Sequence, residues 1–156
     1  MDVFELRNIA TEEAASLLIK AFDFMDSSEL LMHEICYTLG QMPIYDISVK
    51  FLKKVVADEK EFPVVRHEAG EALGNFGLPE LADFLEKYTK SEIEVLRDTC
   101  ILSFAKTKSF PELKSRYGLR FGGAREPAAP FIESELEAVL KGRTILEFMI
   151  SDEHLF

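Results

Sequence analysis

The sequence predicts an all-α protein: an α-solenoid of about three stacked two-helix units with an extra C-terminal helical segment. Three observations carry that prediction. First, Leu31-Met32-His33-Glu34-Ile35-Cys36-Tyr37-Thr38-Leu39-Gly40-Gln41 and Val65-Arg66-His67-Glu68-Ala69-Gly70-Glu71-Ala72-Leu73-Gly74-Asn75 share one signature in one register, 34 residues apart, a period that marks arrays of helix pairs. Second, apolar residues recur at helical spacing, not at the alternation of a strand. Third, the paired positions 17/18, 51/52 and 84/85 are 34 and 33 residues apart, the same period as the histidines.

Each element follows in order. Val3, Phe4 and Leu6 supply only part of a unit before the first outer helix, which begins near Thr11 and turns Leu17, Leu18, Ala21 and Phe22 inward. Asp26, with Glu29 three residues later, forms a capping box before the first inner helix, whose stripe is Leu31, Ile35, Leu39 and Met42. Phe51, Leu52 and Val55 line the second outer helix. Pro63 suits an initial helical position of the second inner helix, where its missing N–H costs nothing. Val65, Ala69, Leu73 and Phe76 repeat the stripe, and Gly77 and Pro79 end it. Leu81, Phe84, Leu85 and Tyr88 mark the third outer helix, and a third inner helix runs from about Ile93 to Lys106 with Leu96, Cys100 and Phe104 inward. Its signature position reads Asp98-Thr99, so that unit lacks the His-Glu chemistry.

Ser109 to Pro130 reads as a loop-like stretch with Gly118, Gly122, Gly123 and Pro127, and with Lys114, Arg116, Arg120 and Arg125 as a basic island. Gly122-Gly123 has neither the strand-loop-helix setting nor the lysine of a phosphate loop. From Glu133 to about Ile150, Leu136, Val139, Leu140, Leu146, Met149 and Ile150 suggest one amphipathic helix or two short ones. The expected organisation is a repeat array over 1–108, a linker over 109–131 and a helical tail over 132–156. Solenoid ends need caps, and the tail either caps its own chain, caps a partner by exchange, or packs loosely.

Composition excludes several functions. With 47% hydrophobic and 29% charged residues, 156 residues suffice for one globular domain. No apolar run approaches the roughly 18 residues of a membrane span. Met1-Asp2-Val3-Phe4-Glu5 lacks the basic flank of a signal peptide, which points to the cytoplasm, and Cys36 and Cys100 make no disulfide framework. A net charge of −10 argues against nucleic acid and for a basic partner. His154 reads as a solvated surface residue.

At about 100° per residue each signature histidine lies opposite its core stripe. Gly40 and Gly74 follow seven residues later on nearly the same face. A helical glycine costs roughly 1 kcal/mol against alanine, so the matched pair implies that something approaches the backbone closely; in a solenoid that face is concave and binds ligands. Adjacent His and Glu diverge too far to chelate one ion, but His33 and His67, on helices about 8–10 Å apart, can meet on one metal. Nitrogen and carboxylate ligands without thiolate suit iron, manganese or zinc, and carboxylates that bridge suit a two-iron site. A lone His-Glu pair is ordinarily a solvated helix face, and most helical repeats are scaffolds. Two pairs in register with matching glycines favour a site, although repeat duplication copies residues too.

The stretches SSELLMHEICYTLGQM and FPVVRHEAGEALGNFG resemble the deoxyhypusine hydroxylase family, di-iron monooxygenases built from HEAT repeats. The likeness extends from Leu6-Arg7-Asn8 through IEVLRDTCILSF, about two thirds of the chain; EPAAPF, Glu126 to Phe131, is similar to the start of the linker between that family's halves. The resemblance implies four His-Glu motifs, two per half, with each iron taking two histidines from one half and a glutamate from the other. On this chain His33 and His67 would bind one iron, Glu34 would reach across to the second, and Glu68 would receive the cationic substrate side chain. It further implies molecular oxygen as co-substrate and, as protein partner, the translation elongation factor whose deoxyhypusine becomes hypusine. This chain reaches Phe156 with half of those ligands. The expected resolution is a homodimer sharing a di-iron site across a twofold axis, with a fragment, a decayed homologue or a repurposed scaffold as alternatives. The competing functional class is a catalytically silent HEAT-repeat adaptor holding a basic protein partner in its acidic groove.

Overall fold

The chain is seen in a computed structural model that describes residues 2–24 and 28–117, with side chains through Ser109. Its elements are α1 (Val3–Ile9), α2 (Glu12–Phe24), α3 (Glu29–Gln41), α4 (Asp46–Ala57), α5 (Pro63–Phe76), a 3-10 turn (Pro79–Leu81) running into α6 (Ala82–Glu86), and α7 (Glu94–Tyr117). No strand occurs among the described residues. Inner helices α3, α5 and α7 pack in succession, and α2, α4 and α6 each pack on the inner helix that follows. This is the expected array of HEAT-like helix pairs. The extra C-terminal helical segment lies outside the described residues.

Local chemistry sets most helix ends. Asp2 and Glu5 form a reciprocal capping box on α1, with both hydrogen bonds at 2.8 Å. Ala10 closes α1 in the left-handed region at φ 53°. The Thr11 hydroxyl accepts the Ala14 N–H at 3.2 Å and starts α2. Tyr45 donates its hydroxyl to the Ala10 carbonyl at 2.9 Å, tying the first turn to the loop before α4. Pro63 opens α5, and Gly77 ends it at φ 62°, a conformation that glycine adopts without strain. Helix α3 starts from Ser28, which makes no side-chain capping bond; Asp26, proposed above for that role, lies outside the described residues.

The core follows the paired apolar positions, with a refinement. Leu18, Leu52 and Leu85, the second members, are fully buried. Leu17 is instead 48% exposed. At about 100° per residue it falls well outside the arc that α2 buries, Ala14, Ala15, Leu18 and Phe22, so Leu18 faces inward and Leu17 does not. On α3, Met32 takes the buried place in the first turn while Leu31 stays exposed. Val65, Ala69, Leu73 and Phe76 are all buried as expected. Phe22 meets Phe51 edge to face at 4.9 Å, and Arg66 donates to the Val56 carbonyl at 2.9 Å, linking α5 to α4. Burial pushes the Cys100 thiol up to about 12 and raises Cys36 well above its ordinary value, so both pack and neither is poised to react.

Helix α7 passes Lys106, where the sequence reading ended it, and continues through the first residues of the expected linker. No glycine occurs between Gly77 and Gly118, and within α7 Pro111 is the only breaker. The glycine-rich composition that suggested a loop belongs to residues 118–130, which, with the tail at 132–156, lie outside the described residues. No described helix is long and apolar enough to cross a membrane.

Gly40 and Gly74 do mark close approaches, but the partner is the next inner helix and not a ligand on a concave face, since both glycines are buried. A Cβ on Gly40 would lie 2.8 Å from the Ala72 Cβ and 3.0 Å from its Cα. A Cβ on Gly74 would lie 2.9 Å from the Ser103 Cα. These contacts draw α3 onto α5 and α5 onto α7.

Candidate metal centre

Two helical turns before each glycine, the same close stacking brings the signature side chains together. The rings of His33 on α3 and His67 on α5 lie 6.2 Å apart between centroids and 31° from coplanar. Glu68 fills the space between them. Its Oε2 is 2.8 Å from His33 Nε2 and 3.8 Å from His67 Nε2. Glu71, one turn further along α5, places Oε2 4.0 Å from His67 Nε2.

Burial makes these distances matter. The Glu68 side chain is only 1% exposed, against 17% for His33 and 12% for His67. A carboxylate so far from water needs a cation or hydrogen-bond donors beside it. His33 answers that need: its hydrogen bond with Glu68 raises its pKa, burial opposes the shift, and the charges of Glu68, Glu34 and Glu29 add to it. On the far side, His67 Nδ1 is hydrogen-bonded to Thr99 Oγ1 on α7.

The donor set fits a transition metal of the nitrogen-and-oxygen class. His33, His67 and Glu68 each offer one ligand atom, all within 4.8 Å of one another. Metal–ligand bonds of about 2.0–2.2 Å place two ligands of one ion up to roughly 4 Å apart, so small side-chain rotations suffice. The 2.8 Å His33–Glu68 contact is as short as a charge-assisted hydrogen bond, and the raised His33 pKa favours a proton where an ion would sit. Metal entry therefore displaces that proton.

The structure brings His33 and His67 together as the register implied, in the groove between inner helices. It treats the two glutamates differently: Glu68 joins the imidazoles, while Glu34 is exposed and outside the three-residue cluster. Thr99 and Glu71 were not anticipated. Thr99 occupies the third unit's signature position, dismissed for want of a His-Glu pair, and Glu71 stands four residues after His67; the repeat register and helical spacing are the signals that mark them.

No protein-family model matches the chain. In sequence it is similar to deoxyhypusine hydroxylase of Gallus gallus, 36% identical over 141 residues, covering 88% of this chain and 46% of that protein. The enzyme of the same name from Danio rerio is 41% identical over 101 residues, 65% of this chain and 32% of the relative, and that of Schizosaccharomyces pombe is 43% identical over 101 residues, 65% and 31%. The solved structure of human deoxyhypusine hydroxylase in complex with glycerol superposes with a TM-score of 0.65 at 35% identity, covering 81% of this chain and 40% of that one. The chain thus spans less than half the length of these relatives.

Proposed function

We propose that this chain, a relative of the deoxyhypusine hydroxylases over most of its own length and part of theirs, is an iron-dependent monooxygenase that hydroxylates the deoxyhypusine side chain of a translation elongation factor to hypusine, with molecular oxygen as co-substrate and a two-electron reductant that lets the second oxygen atom leave as water. The observation that carries the proposal is the convergence of His33, His67 and Glu68, ligand atoms within 4.8 Å, from inner helices one repeat apart. Iron held by His33 and His67 would supply the redox chemistry needed to place oxygen on an unactivated carbon.

The chain's own residues have separable tasks. Both imidazoles must be neutral to bind metal, so loading ends the protonated His33–Glu68 pair. Glu68, only 1% exposed, is then assigned to the substrate amine, a cation that a carboxylate so far from water binds in preference to solvent. Exposed Glu34 is free to reach the metal of a second copy. Two copies about a twofold axis bring four imidazoles and four carboxylates to one di-iron site. The net charge of −10 suits attraction of a cationic polyamine-like side chain.

A second reading has one observation in its favour: the His33–Glu68 pair satisfies itself without metal, as in a silent scaffold that binds a basic protein. Native mass spectrometry of the full chain reconstituted with Fe(II), followed by a hydroxylation assay on the deoxyhypusine-bearing factor, separates the two. Two chains with two irons and hydroxylated product support the enzyme. A chain that keeps no iron and yet binds the factor leaves the scaffold.

A further inference from the structure

We infer that Thr99 is a positioning residue for the metal centre, holding His67 in the tautomer and ring orientation that present Nε2 to the ion. The inference rests on the proposed metal site and assigns a task to the third repeat, which has no His-Glu pair. The three inner helices form a ladder at this level: Glu68 of α5 engages His33 of α3, and Thr99 of α7 engages His67 of α5.

An imidazole binds metal through one nitrogen, and the hydrogen bond at the other decides which nitrogen that is. His67 Nε2 points toward Glu68 and Glu71, 3.8 and 4.0 Å away, on the side of His33. Its Nδ1 meets Thr99 Oγ1. With Nε2 on the ion, Nδ1 carries the proton and donates it to the threonine oxygen, which fixes the ring plane. The same helix pair approaches closely four residues beyond Thr99 on α7, where a Cβ on Gly74 would lie 2.9 Å from the Ser103 Cα.

The test uses Zn(II), which binds the same donors without redox chemistry, on the full chain. Thr99→Val keeps the side-chain shape and removes the hydroxyl; Thr99→Ser keeps the hydroxyl. Thr99→Val is expected to lower Zn(II) affinity about 10- to 100-fold and to expose the His67 Nδ1 proton to rapid solvent exchange by NMR, with helicity and melting temperature near wild type. Thr99→Ser should stay close to wild type in both. Equal Zn(II) affinity and an equally protected Nδ1 proton in Thr99→Val would overturn the role of Thr99 alone, as would a serine variant as impaired as valine. A wild-type chain that binds no Zn(II) overturns the metal centre and this role with it.

Discussion

Gly40→Ala tests whether helix spacing builds the site. The added Cβ would lie 2.8 Å from the Ala72 Cβ and 3.0 Å from its Cα, against an optimal carbon–carbon separation of about 3.5–4.0 Å. Helices α3 and α5 must therefore separate by roughly 1 Å at this level. Overpacking of this kind costs about 1–3 kcal/mol, while replacing glycine with alanine in a helix returns roughly 1 kcal/mol. The expected net is a loss of about 0–2 kcal/mol. Seven residues away, about 10 Å along the helix, the same separation widens the His33–Glu68 contact and weakens metal binding. Urea denaturation and Zn(II) titration of Gly40→Ala, alone and combined with Ala72→Gly, measure both effects. The double variant removes the 2.8 Å contact but keeps the 3.0 Å one, so it should recover part of the metal affinity even where it does not recover stability. Refutation would be a Gly40→Ala protein about 1 kcal/mol more stable than wild type, with unchanged metal affinity, as for a glycine on an open helix face.

Three further outcomes are expected. His33→Ala or His67→Ala should abolish iron retention while circular dichroism keeps its helical amplitude, because neither ring is part of the apolar core; global unfolding of either would assign them to packing. Glu68→Gln should retain iron and lose affinity for the deoxyhypusine-bearing factor by equilibrium binding, whereas loss of iron would make Glu68 a ligand. For the metal-free chain, the His33 pKa is raised in the fold above an unfolded value of about 6.5. The folded state then holds the proton more tightly, so the pair's contribution is full below about pH 6.5 and fades as pH rises through the folded value. Melting temperatures across pH should show that slope in wild type and lose it in His33→Asn. Metal affinity should run the opposite way, rising with pH as the displaced proton becomes easier to remove.

Sequence alone settled the helical period, the repeat length, the signature histidines and the need for close approach at Gly40 and Gly74, because each depends on spacing along one helix or on copies of one unit. Pro63 and Gly77 were legible for the same reason: their backbone constraints act locally. Leu17 was misjudged because two adjacent leucines look alike until a neighbouring helix chooses between them, and the end of α7 was misjudged because glycines beyond Tyr117 coloured the reading of the residues before them. The site shows the division most sharply. Glu34 and Glu68 follow identical histidines in identical register, yet one is exposed and the other 1% exposed. That difference comes from α5 lying between α3 and α7, whereas α3 has α5 on one flank and only the short α1 on the other. Burial and hydrogen-bond partners such as Thr99 are supplied by helices more than thirty residues away in sequence, so only packing in three dimensions decided which carboxylate the imidazoles would share.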